Sequence, residues 1–175
     1  MNSINAPSTW KFWRQIEVAC IKACRKWEPV SFGRFVIRPD ILPNGFKVIY
    51  VDMPSGSICY PMPFLGTEEW NGEVRNTFNF WTPLGSSWIR TDTFGGSLTE
   101  NVIQAMCRDI LRDGMLAADK AGFKLIGHVH DEAIAEGRNS KNDLAEFERY
   151  LTCSSEWAEG FPIKTEGYIS TVYRK

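Results

Sequence analysis

Both histidines of this 175-residue chain fall within five positions, His128-Val129-His130-Asp131-Glu132, beside two adjacent carboxylates. The flanks are apolar: Leu125-Ile126-Gly127 before, Ala133-Ile134-Ala135 after. Desolvating a carboxylate among strand-forming apolar residues is costly unless a metal or an arginine lies close. The run is therefore a candidate for divalent-cation chemistry. In a regular strand Asp131 and Glu132 would point to opposite faces. A turn at His130-Asp131 would instead put Asp131 at a hairpin tip with Glu132 nearby. Two such carboxylates suit Mg²⁺, which takes oxygen ligands and keeps several waters. A two-metal site needs at least one further bridging carboxylate. The rival reading of the same residues is a polar turn with satisfied histidines.

A second pattern is the stripe Asn101, Gln104, Arg108 and Arg112, which combines amides and arginines with no acid within it. Such side chains suit hydrogen bonding to nucleic-acid groove edges and phosphates. They equally suit an ordinary solvated helix face.

The elements that must carry these residues follow from periodicity. Residues 98–121 read as a long helix: at 100° per residue, Val102, Ile103, Met106, Cys107, Ile110 and Ala117 share one face, opposite the polar stripe. Ser97 or Thr99 is the expected cap at its start, and Gly122 ends it. The motif segment 123–136 comes next as strand or hairpin, then a short helix over 144–151 and an extended stretch over 161–174. Upstream, residues 10–27 read as a helix with Trp13, Ile16, Ala19, Cys20 and Ala23 inward, closed by Pro29. Short strands are expected at 33–39, 46–51, 57–61, 76–81 and 87–93. Turns at Pro43-Asn44-Gly45, Pro54-Ser55-Gly56 and near 83–85 separate them, with Phe94-Gly95-Gly96 as the final break.

The chain is long enough for one domain with a core. Its organisation reads as an N-terminal helix (1–28), a β-rich region (29–96) and a helix–hairpin–tail portion (97–175) within one structural unit. Five cysteines, an odd number without CxxC spacing, make neither a disulfide framework nor a zinc site, and read as buried free thiols. No apolar run is long enough for a membrane span, and residues 1–9 are no signal peptide. The formal net charge is −1, unevenly spread. Residues 1–48 carry eight basic side chains against three acidic, and residues 131–166 nine acidic against four basic. The first of these permits a polyanion-facing surface.

Four stretches, in order, resemble the C-terminal part of a family A (DNA polymerase I-like) DNA polymerase of the kind bacteriophages encode. Asp52-Met53-Pro54-Ser55-Gly56-Ser57 with Tyr60 is similar to LPSGR-x-x-x-Y. Phe94-Gly95-Gly96-Ser97-Leu98-Thr99-Glu100-Asn101-Val102-Ile103-Gln104 is similar to YGGKLTENIVQ and continues through Arg108-Asp109-Ile110-Leu111. Val129-His130-Asp131-Glu132 is similar to polymerase motif C, VHDE. Trp157-Ala158-Glu159-Gly160-Phe161-Pro162, through Gly167-Tyr168 to Tyr173-Arg174-Lys175, is similar to the family's closing residues.

The resemblance implies an α+β fold: a partial polymerase palm with a motif C β-hairpin packed on a long helix, plus a small β-rich insertion. It implies Asp131 and Glu132 as catalytic, Mg²⁺-binding carboxylates, and His130, Gln104, Arg108 and Asn101 as DNA contacts. Asp109 matches the family's acid five residues after the glutamine. The usual arginine and lysine are replaced here by Ser57 and Ser97. DNA primer-template and deoxynucleotides would be the substrates, and the host cytoplasm the location. No DYSxxE-like motif A and no RxxxK…YG motif B occurs in these residues. The expectation is thus a fragment of a split or truncated DNA-directed DNA polymerase, inactive alone, that works with a second chain bearing motifs A and B. The rivals are a catalytically inactive DNA-binding remnant and a metal-dependent nuclease built on His128, His130, Asp131 and Glu132.

Overall fold

A computed structural model describes residues 7–137, 140–152 and 155–173; Cys153, Arg174 and Lys175 lie outside these described residues. The fold is α+β and divides into two compact units, residues 1–104 and 105–175.

The first unit opens with helix α1 (Pro7–Lys26) and a four-stranded antiparallel sheet in the order β1 (Val30–Phe32), β2 (Phe35–Ile41), β3 (Lys47–Met53), β4 (Gly56–Pro61). A three-stranded antiparallel meander follows: β5 (Phe64–Trp70), β6 (Glu73–Leu84), β7 (Ser87–Thr93). Alternation does not announce β1 or β5. The first is only three residues long, and the second is marked only by the turn Asn71-Gly72, which separates it from β6. Helix α1 lies against β1, β2, β5 and β6, and β4 meets β6. Ile16, Cys20 and Ala23 from the helix, and Ile37, Ile49, Val51 and Phe78 from the strands, are fully buried. Burying such side chains contributes roughly 1.5–3 kcal/mol each for the larger ones. Tyr60 ties the two sheets together, edge-on to Phe78 at 5.6 Å and to Phe80 at 4.8 Å.

Helix α2 (Gly95–Lys120) begins earlier than its periodicity indicates. Phe94 precedes its first turn, and its N–H donates to the Ser97 hydroxyl at 3.2 Å, as the third helical residue of a capping box does. Thr99 is not a cap: its hydroxyl donates back to the Gly95 carbonyl at 2.7 Å. Gly95 is required because a Cβ there would collide with the Trp13 carbonyl of α1. Leu98, Thr99 and Val102 are buried in this first part of α2.

The second unit holds the rest of α2, the hairpin β8 (Lys124–Val129) and β9 (Glu132–Glu136), helix α3 (Lys141–Leu151), a 3₁₀ turn (Glu156–Ala158) and a tail without regular structure. The buried positions of α2 are here Asp109, Gly114 and Ala118, while Met106 and Ile110 are half-buried. Ile103 and Cys107, read from sequence as part of the apolar face, are exposed. Phe123, leading into β8, packs against Phe147 and Tyr150 of α3 at 5.2 and 6.0 Å. Ser140 caps α3 by accepting from the N–H groups of Asn142 and Asp143. Asp113 of α2 anchors the 3₁₀ turn, accepting from the Ser155 hydroxyl at 2.5 Å and the Trp157 indole at 2.9 Å. Burial alone would raise the Asp113 carboxyl, but the Ser155, Trp157 and Arg112 hydrogen bonds outweigh it and hold it below the usual range.

Among the described residues four cysteines are free thiols: Cys20 is buried and Cys24 half-buried, but Cys59 and Cys107 are exposed, contrary to the uniform burial expected. Among the described residues no helix is long and apolar enough to cross a membrane.

Candidate metal and nucleic-acid site

The central motif folds as a hairpin. Val129 pairs with Glu132, so the turn contains only His130 and Asp131. Two-residue hairpin loops need a positive φ to match the strand twist, and His130 supplies it at 52°. This is uncommon for a residue with a Cβ, although histidine takes it more readily than most. A bulge between Leu125 and Gly127 leaves Ile126 without a strand partner and exposed. The sequence pattern reads here as strand or hairpin, and the motif C resemblance implies the hairpin; the turn has no Asn-Gly or Asp-Gly signal to announce it.

His130, Asp131 and Glu132 are all exposed at this tip. His128 is exposed in β8, opposite Ala133 on the face away from Glu132. The Tyr173 hydroxyl, from the tail, donates to Glu132 Oε2 at 2.9 Å. That bond, with desolvation and the repulsion of the same carboxylate, holds the Tyr173 phenol above its ordinary value. As oxygen donors, Asp131 and Glu132 are of the kind Mg²⁺ takes, and they fit as part of a ligand set. Among the described residues no group of three or more His, Cys, Asp or Glu stands ready to hold a metal. A Mg²⁺ ion held here would need further oxygen ligands beyond these two carboxylates.

The polar stripe separates into residues with different duties. Asn101 is half-buried, and its amide donates to the Tyr60 hydroxyl at 3.1 Å. Tyr60 is buried, which pushes its phenol up to about 12 despite the Asn101 bond. Gln104 is exposed and donates to Glu100 one turn earlier at 3.1 Å. Arg108 and Arg112, both exposed, converge on Asp109 Oδ1 at 3.0 Å each. Asp109 itself is fully buried, and its Oδ2 has no hydrogen-bond partner. Arg112 also reaches Asp113 Oδ1 at 2.7 Å. Both arginines are thus held in place by carboxylates of their own helix.

Three neighbours fix these side chains: Asp109 binds two arginines, Tyr173 holds Glu132, and Glu100 holds Gln104. The spacings Asp109–Arg112 and Glu100–Gln104 are helical neighbours readable in sequence. No local signal links Tyr173 to Glu132. Ser57 donates to Asp52 Oδ1 at 2.6 Å, in a cluster where Arg38 also binds Asp52 at 2.8 Å. Ser97 is engaged with Phe94.

The chain is 34% identical over 169 residues, 94% of its length, to a DNA polymerase of Bacillus phage SP02. It spans 25% of the length of that relative. No family model matches the chain, and no solved structure matches it. The similarity makes this a DNA polymerase-like region.

Proposed function

We propose that this chain is the C-terminal, motif C-bearing part of a family A DNA-directed DNA polymerase, and that Asp131 is its contribution to a Mg²⁺-dependent nucleotidyl-transfer centre. One observation carries this: a two-residue hairpin turn exposes His130, Asp131 and Glu132 together at its tip, in a chain similar over nearly its whole length to a phage DNA polymerase. Asp131 and Glu132 would hold the metal, which when bound activates the primer hydroxyl and offsets charge on the nucleotide phosphates. Tyr173 fixes one oxygen of Glu132, leaving Asp131 the freer ligand. His130, at the first position of the two-residue turn, faces the primer end. Gln104 and Arg108 contact the duplex, with Asp109 aligning the arginine. The remaining metal ligand and the nucleotide-binding cations belong to motifs A and B, which these residues lack and a second polypeptide would supply.

Primer extension tests this. The chain alone should incorporate no nucleotide, and adding a polypeptide with motifs A and B should restore synthesis. Asp131→Asn should then abolish extension while leaving assembly intact, and His130→Ala should cost less, because positioning is shared among several contacts. Unchanged extension by the assembled Asp131→Asn protein would remove the motif C assignment. Robust synthesis by the chain alone would remove the need for a partner.

A second reading, an inactive DNA-binding remnant, draws on Ser57 and Ser97. Where the family carries arginine and lysine, these hydroxyls are spent on Asp52 and Phe94. Duplex binding without extension under every complementation would favour it.

A further inference from the structure

Within the first unit, a groove of about 340 Å³ runs between the outer side of α1 and strand β1. Trp10, Lys11, Arg14, Val18, Lys22 and Phe32 line it. Lys11, Arg14, Val18 and Lys22 recur at i, i+3, i+7 and i+11, so they form a single stripe along the helix. All four are exposed, and among the described residues no acid pairs with the three cations. No carboxylate lines the groove either. Like charges repeated along a helix face repel unless an anion neutralises them. Trp10 lies at the same groove, 67% exposed. Phe32 is held in place by stacking on Phe35 at 5.3 Å and by Phe12 at 5.7 Å.

We infer that this groove binds single-stranded nucleic acid, with Lys11, Arg14 and Lys22 on successive phosphates and a base stacked on Trp10. Cations spaced along a track beside an accessible aromatic face are what a flexible strand with free bases uses. A duplex offers no base face to Trp10, and an acidic peptide would engage the cations without the indole. That the site takes an anionic chain follows from its charge. The choice of nucleic acid among polyanions rests on the polymerase reading.

The test uses the full chain and a short fluorescein-labelled oligo(dT), followed by anisotropy across a salt series. Trp10→Ala should weaken binding about tenfold. The combined variant Lys11→Gln, Arg14→Gln, Lys22→Gln should lower the slope of log affinity against log salt by about 2. Arg75→Gln, on β6 and away from the groove, should change neither. Circular dichroism and thermal unfolding confirm that each variant is folded, and all the substituted side chains are exposed. Wild-type affinity and salt slope in the folded triple variant would overturn the site. Displacement by polyglutamate as effective as by oligo(dT), with Trp10→Ala silent, would identify an acidic-peptide site instead. A duplex of equal length binding as tightly, with Trp10→Ala silent, would likewise overturn the single-strand assignment. The readout involves no catalysis, so failure of the primer-extension experiment and failure of this one are separate results.

Discussion

His130 holds φ at 52°, where a Cβ crowds the following carbonyl at a cost of roughly 1–2 kcal/mol. Strain kept at an exposed turn is accounted for if the imidazole has a task there. His130→Gly should therefore stabilise the chain by up to about 1 kcal/mol in urea unfolding, part of the relief being offset by glycine's unfolded-state entropy. The same variant should lower primer extension in the complemented assay. A net loss of stability would show instead that the imidazole makes a contact worth more than the strain. Asn101 is a different case. Its resemblance-based role is DNA contact, yet its amide meets the hydroxyl of Tyr60, which is only 2% exposed. Asn101→Ala strands that hydroxyl and should cost about 1–3 kcal/mol. Adding Tyr60→Phe should recover part of the loss, because both partners are then gone. A single variant as stable as the parent would return Asn101 to the set of free DNA-binding side chains.

At the scale of elements, α2 shows how packing reverses a propensity rule. Gly→Ala in a helix interior ordinarily stabilises by about 1 kcal/mol. At Gly114 a Cβ would lie 2.9 Å from both the Cα and the carbonyl oxygen of Leu151, backbone atoms at the end of α3. Backbone cannot swing aside as a side-chain tip does. Gly114→Ala should destabilise the chain, by about 1–3 kcal/mol as overpacked sites do; a raised melting temperature would mean that α3 shifts freely against α2. The same helix explains an error of periodicity. A hydrophobic period marks which residues prefer burial, but burial also needs something packed on that face. Ile103 and Cys107 have no such cover, whereas Asp109 is buried beneath two exposed arginines that bind its carboxylate.

For the molecule as a whole, the first unit keeps two neutral acids in its core. Burial pushes the Cys20 thiol from 9.0 to about 12, with Cys24 and Glu17 adding repulsion, and pushes the Tyr60 phenol from 10.0 to about 12. Both folded-state values are raised, so the folded chain binds more protons than the unfolded chain in the interval between them. Stability is then fully present below pH 9 and falls as pH rises from there toward 12. Each pH unit between a group's unfolded and folded values is worth roughly 1.4 kcal/mol, so the loss should reach a few kcal/mol. Cys20→Ala should reduce the slope between pH 9 and 10, where Cys20 is the most strongly raised thiol and Cys24 and Cys59, raised in the same direction, leave a residual slope. A chain whose denaturation midpoint is level from pH 8 to 11 would refute the assignment.

Local regularities were readable because they have short range. Alternation located β2, β3, β4 and β7 to within a few residues, and helical periodicity located α1 and α2; residues 123–136 read locally only as strand or hairpin, and it was the motif C resemblance, with the apolar flanks, that set a hairpin turn at His130-Asp131. The charge asymmetry of residues 1–48 was equally plain, although not the groove that gathers part of it. Tertiary structure alone decided the contacts between distant residues. Tyr173 with Glu132 and Tyr60 with Asn101 are each 41 positions apart, and Asp113 with Trp157 is 44. A helical turn or strand pair couples residues a few positions apart, and nothing in such a pattern says which distant side chain will arrive. Whether Asn101 faces solvent or a tyrosine, and whether Asp109 is a surface acid or the buried anchor of two arginines, depends on how the elements pack once formed.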